Sequence, residues 1–166
     1  MKTVLIFSVL LCAALAAEVS ALLKISQNKL KKTVFSAARI NFCPSGWFTY
    51  GYRCYIFVNS PMNWYSAKDH CKSLGANLAS VSSPREYSFL QQITKTAGQS
   101  TAWLGGFYRE GRWLWIDNEG FYYTNWYSQA SAVRYPCMFL YSTFGWSNTL
   151  CTSAQRFICS KTPLTC

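Results

Sequence analysis

Seven cysteines crowd the stretch from Cys43 to Cys166, and their spacing limits what this chain can fold into more than any other feature. Cys43 opens the run Cys43-Pro44-Ser45-Gly46-Trp47, ten residues separate it from Cys54, and Cys71 falls in a helix-like segment. Cys137, Cys151 and Cys159 complete a set of six, with Trp146-Ser147-Asn148 just ahead of Cys151, and Cys166 is left over at the C-terminus. Six cysteines can pair in many ways, so spacing alone leaves the connectivity open. Their redox state can be read from the N-terminus. Lys2 precedes an apolar run from Val4 to Leu15, and Ala14-Leu15-Ala16 offers small residues for cleavage, the pattern of an export leader over residues 1–16. The run falls short of the ~20 apolar residues that span a bilayer. The eighth cysteine, Cys12, would leave with the leader. A secreted, extracellular chain meets an oxidising environment, where the remaining cysteines become disulfides rather than metal or redox thiols. No Asn-x-Ser/Thr sequon is present, so N-glycosylation is not expected.

Beyond the leader lies one domain's worth of chain. Aromatic residues make up 17% of the sequence, with seven Trp, enough large apolar surface for a true core. The formal charge of +10 is unevenly spread. Residues 17–42 carry Lys24, Lys29, Lys31, Lys32 and Arg39 against Glu18 alone. Excess positive charge on an exported protein favours glycans or anionic cell surfaces as partners, or serves solubility alone. Neither nucleic acid nor a membrane span is expected. In the basic extension, Leu22, Leu30 and Val34 recur at helical spacing with the lysines on another face. That pattern suits a chain-pairing neck, a membrane-surface segment, a pro-segment cut after Lys31-Lys32, or a plain linker.

From Cys43 the chain reads as two helices followed by strands and loops. The first helix is expected between Pro61, as a first-turn proline, and Gly75, with Ala67, Cys71 and Leu74 facing the core. The second begins with the capping box Ser83-Pro84-Arg85-Glu86, has Leu90, Ile93 and Ala97 as its apolar face, and stops at Gly98. Trp103-Leu104-Gly105-Gly106 reads as a buried strand and turn. Trp113, Trp115 and Ile116 come after a turn at Glu110-Gly111, and Pro136–Tyr141 and Phe157–Cys159 read as the last core strands.

The cysteine frame, Cys-Pro-Ser-Gly-Trp, the Trp103-Leu104-Gly105 core and Trp146 ahead of Cys151 together resemble the C-type lectin-like domain in its long form, over residues 43–160. The fold this implies is α+β: two helices, two small antiparallel sheets and a long loop, stapled by Cys43–Cys54, Cys71–Cys159 and Cys137–Cys151, with 161–166 as a tail. Closing the Cys71–Cys159 loop would restrict the unfolded chain by about 4–5 kcal/mol on the entropy model. The same resemblance implies structural roles for Trp47, Trp103, Trp115 and Trp146.

Sugar-binding members of that family hold Ca²⁺ in the long loop, and a hard cation needs several oxygen ligands with carboxylates among them. Here the family's Glu-Pro-Asn-type triplet falls on Ala130-Ser131-Ala132, its acid two residues ahead of Cys137 is Tyr135, and its Asn-Asp pair is Ser147-Asn148. No family carboxylate remains, and Arg134 would oppose a cation, so no metal and no cofactor is expected there. Asp117, Asn118 and Glu119 read as a polar turn. A single His70 and five scattered acids give no basis for an enzyme. The reading is therefore of a lectin-like recognition module that binds without calcium through Tyr127, Gln129, Ser131, Arg134, Tyr135, Ser147 and Asn148. The alternatives are ice binding, since fish type II antifreeze proteins share the fold, and a protein-binding subunit in which Cys166 links a homodimer.

Overall fold

The computed structural model describes residues 17–27 and 41–165. Residues 17–27 form a helix, α1, with every side chain exposed. Leu22 lies on it. Leu30, Val34, the Lys31-Lys32 pair, the leader and Cys166 lie outside the described residues. A separate compact unit runs from Phe42 to Leu164. The elements after α1 are β1 (Asn41–Phe42), β2 (Phe48–Tyr50), β3 (Arg53–Met62), α2 (Trp64–Ser73), β4 (Asn77–Leu78), α3 (Pro84–Thr96), β5 (Thr101–Arg109), β6 (Arg112–Trp115), β7 (Cys137–Tyr141), β8 (Trp146–Thr149), β9 (Gln155–Lys161) and β10 (Leu164–Thr165).

β1 and β10 form a two-stranded ladder. The other strands make one path in the order β2-β3-β9-β5-β7-β8, with β4 added on β9 and β6 on β5. Two antiparallel groups are visible within it, joined only where β5 runs parallel to β9 at Trp103↔Phe157. The expected α+β class holds, and the two small sheets are one mixed sheet through that bridge. The three implied disulfides are present, with Cα–Cα distances of 5.4 Å for Cys43–Cys54, 5.4 Å for Cys71–Cys159 and 5.1 Å for Cys137–Cys151. Cys71–Cys159 fastens α2 to β9.

The helices start and stop where local chemistry requires. Asn63 caps α2 by accepting from Ser66 N at 2.9 Å. Pro61 is therefore not a first-turn proline; it lies in β3, where the pairing with β9 loses register between Val58 and Met62 and tolerates a missing N–H. Ala67 and Cys71 are fully buried, but Leu74 is the exposed C-cap and not part of the core stripe. Ser83 caps α3 as expected, with Pro84 in the first turn. Glu86 departs from the simple box: its carboxylate reaches past the cap to accept from Ser82 N and Ser82 Oγ, both at 2.7 Å, and from the Tyr55 hydroxyl. Three donors explain how this carboxylate sits 4% exposed. Gly75 and Gly98 end the two helices at positive φ.

Gly105 and Gly106 do not turn the chain; they continue β5. A Cβ on Gly106 would meet the Met138 sulfur at 2.6 Å, so Met138 fills the space beside it. Trp103 and Trp146 are fully buried, Trp115 is 2% exposed, and Trp47 is half-buried under the Lys161 ammonium, 4.3 Å from its ring centre. All four expected structural tryptophans pack on the core.

Candidate functional site

Residues 116–136 connect β6 to β7 as one long loop, and each end is anchored differently. At its start, Asp117 Oδ2 lies 2.8 Å from Arg53 Nη2 and 2.5 Å from Ser80 Oγ. Arg53 also donates to Ser80 Oγ at 2.7 Å and Ser160 Oγ at 2.8 Å. Asp117 of the expected polar turn is thus one side of a largely buried ion-pair network, while Asn118 and Glu119 are exposed. Next, Phe121, Tyr123 and Trp126 set their rings at steep angles against Trp146, at 6.0, 5.5 and 5.7 Å. The backbone is fastened at the same place: Trp146 N donates to Asn125 O at 2.7 Å, and Tyr127 N to Trp146 O at 2.9 Å.

At the far end Asn148 takes over. Its Oδ1 accepts from Ala130 N at 2.8 Å, and its Nδ2 donates to Ala130 O at 3.1 Å and Tyr135 O at 2.7 Å. Ser147 Oγ is 3.0 Å from Ser128 Oγ. Residues 146–149 were not foreseen as a strand; as β8 they pair with β7, which turns Ser147 and Asn148 inward at 7% and 5% exposure. These two predicted contacts are buried fasteners of the loop, with their polar atoms already engaged. Tyr127, Gln129, Ser131 and Arg134 are exposed and Tyr135 is half-buried, with the Arg134 guanidinium 5.5 Å from the Tyr135 ring centre. One amide thus ties the Gln129–Ser131 segment to the Arg134–Tyr135 segment.

The donor set does not fit Ca²⁺. The Asn148 side-chain oxygen, which a metal at this position would use, is turned to the Ala130 N–H. The amide's N–H groups already serve two carbonyl oxygens, and residues 129–135, 147 and 148 include no carboxylate to balance the cation. Among the described residues no three His, Cys, Asp or Glu side chains converge.

Sequence reasoning placed Tyr127 at the site but missed its partner, Phe144. Tyr127 and Phe144 stack at 4.6 Å and 22°, each at least half exposed, and Tyr141 meets both edge-on at 5.8 and 6.0 Å. Phe144 sits on the β7–β8 turn. Tyr87 Oη and Gln91 Nε2 on α3 hold that turn, donating to Phe144 O at 2.6 and 2.7 Å and to Tyr141 O at 3.2 and 3.1 Å. Burial, and secondarily the nearby Tyr123, raise the Tyr87 pKa and keep its hydroxyl a donor. Gly145 admits the close approach, because a Cβ there would lie 2.1 Å from Asn125 O and 2.8 Å from Tyr127 N. The signal was an aromatic beside a glycine between two strands, Phe144-Gly145, but only the register shows that Tyr127 meets it.

Comparison with known proteins agrees with this architecture. The lectin C-type domain family matches residues 60–161. Ladderlectin of Oncorhynchus mykiss is 41% identical over 81% of this chain and 80% of its own length. The galactose-specific lectin nattectin of Thalassophryne nattereri is 35% identical over 72% and 80%. A solved Ca²⁺-dependent type II antifreeze protein in its Ca²⁺-free form superposes with a TM-score of 0.67 at 32% identity, covering 72% of this chain and all of that one. Family match, relatives and disulfide frame lead to one placement: this chain belongs to the lectin C-type domain family.

Proposed function

We propose that this chain is a secreted lectin that recognises glycans on anionic surfaces without calcium. The observation that carries the reading is the Asn148 amide, which closes the long loop with neutral hydrogen bonds where a sugar-binding relative would place a metal ligand. A loop closed in this way needs no ion to present its outer face. Tyr127 and Phe144 offer a preorganised aromatic surface on which the apolar face of a sugar ring can stack. Gln129, Ser131 and Arg134 supply donors and acceptors for hydroxyls and for an acidic substituent. The leader and the three disulfides support export, and the named lectin relatives support the glycan class.

The test is a glycan array probed with purified protein in excess chelator. Binding that persists in chelator and disappears in Tyr127→Ala and Phe144→Ala supports the reading; binding restored only by Ca²⁺ overturns it. A second reading, ice binding, is favoured by the antifreeze fold neighbour. Thermal hysteresis of the same sample, absent under the first reading, decides between them.

A further inference from the structure

We propose that the cleft floored by Arg53 is a second binding site, shaped for a neutral saccharide and separate from the Tyr127–Phe144 platform. The cleft has a volume of about 490 Å³ and is lined by Tyr52, Arg53, Asn77, Asp117, Glu119 and Lys161 among others. Ligand-sized clefts run from roughly 300 to 1,000 Å³, so a sugar unit fits. It belongs to the β3–β9 end of the sheet path, whereas Phe144 is on the β7–β8 turn at the other end.

The charges decide the ligand class. Arg53 and Lys161 face Asp117 and Glu119, so the cleft is balanced although the chain carries +10. An anion would meet two carboxylates. A metal ion would meet a guanidinium already inserted between Asp117, Ser80 and Ser160. A ligand with many hydroxyls, each able to donate and accept, suits both signs at once. The free valences have the right kinds. The side-chain ends of Tyr52, Asn77 and Glu119 make no hydrogen bond with the described residues. Lys161 Nζ donates to Leu74 O at 3.0 Å and keeps further donors. Tyr52, 83% exposed at the tip of the β2–β3 turn, presents a bare ring beside these groups, as a stacking surface for a pyranose must. The floor beneath is rigid: Ser80 and Ser160 are 2% and 1% exposed, and Cys43–Cys54 clamps the chain next to Arg53.

The cleft would bind its ligand whether or not the platform binds glycans. The test is amide NMR of the disulfide-intact protein titrated with uncharged methyl glycosides of galactose, mannose and N-acetylglucosamine. At least one glycoside should shift the amides of Gly75, Asn77 and Glu119, with little change on adding salt or chelator. The shifts should survive Tyr127→Ala and weaken roughly tenfold in Tyr52→Ala, the loss of one stacking contact. Asn77→Ala should weaken them too, and Tyr52→Phe should retain them. Tyr52 and Asn77 are exposed, so these variants fold. No shift at these amides with any glycoside at tens of millimolar, or shifts indifferent to Tyr52→Ala, would overturn the proposal.

Discussion

The two ends of the long loop are held by opposite chemistry. At residue 117 the anchor is ionic: Arg53 and Asp117 with two buried serines around them. At residues 130 and 135 the anchor is one neutral amide, serving a backbone donor and two backbone acceptors. An ion pair out of water demands that both partners stay, because removing one strands the other. An amide demands only that its orientation be right, and it brings no charge that a metal would have to balance. The ionic anchor thus joins the loop to the rigid frame of β3 and β9, while the neutral one shapes the outward-facing half.

The largest expected effect tests the ionic end. Arg53→Met should cost about 3–5 kcal/mol in urea unfolding, since Asp117, with its side chain 8% exposed, would be left without its cation. A loss under about 1 kcal/mol would mean the anchor is as solvated as an ordinary surface pair. Asn148→Asp should cost about 2–3 kcal/mol by turning two donors into acceptors that face carbonyl oxygens. Added Ca²⁺ should not restore the loss; recovery of the melting temperature with the metal would break the contrast between the ends.

Alkaline pH probes the ionic anchor and the Tyr127–Phe144 platform together. Burial first, then the hydrogen bond to Glu86, raise the Tyr55 pKa beside the ionic anchor, and burial raises that of Tyr87 behind the platform. Both folded values lie above the unfolded value of about 10, so this stabilisation is complete below that pH and is lost as pH rises beyond it. Each tyrosine should take away about 1 kcal/mol per pH unit there. Tyr55→Phe and Tyr87→Phe should each flatten the fall in a pH series of thermal melts, and Tyr87→Phe should also loosen the 141–144 turn. Smallest of all, Tyr127→Ala should change stability by less than about 0.5 kcal/mol while removing glycan binding, and melts with Ca²⁺ and with chelator should overlay.

Features fixed by local chemistry were legible in the sequence. The Ser83 cap, the stops at Gly75 and Gly98 and the Glu110-Gly111 turn each depend on a few adjacent residues, and the disulfide pairs came with the family resemblance. Pro61 misled because a first-turn proline and an edge-of-register proline look alike until pairing is known. Leu74 misled because a helical stripe does not reveal that its last residue caps the helix. The site was half legible. Residue types ruled out a family carboxylate at the loop, but Asn148's inward role depends on β7–β8 register, and the Tyr127–Phe144 stack joins residues whose contact no periodicity encodes.

The order of the half-cystines along the chain has a consequence for wear. None falls between Asp117 and Pro136, so the loop contains no staple, yet Cys71–Cys159 links the chain before it to the chain after it. A protease that cuts at exposed Arg134 would therefore release nothing. The two pieces would stay covalently joined and part only on reduction. The long loop can thus be nicked without loss of the molecule that carries it.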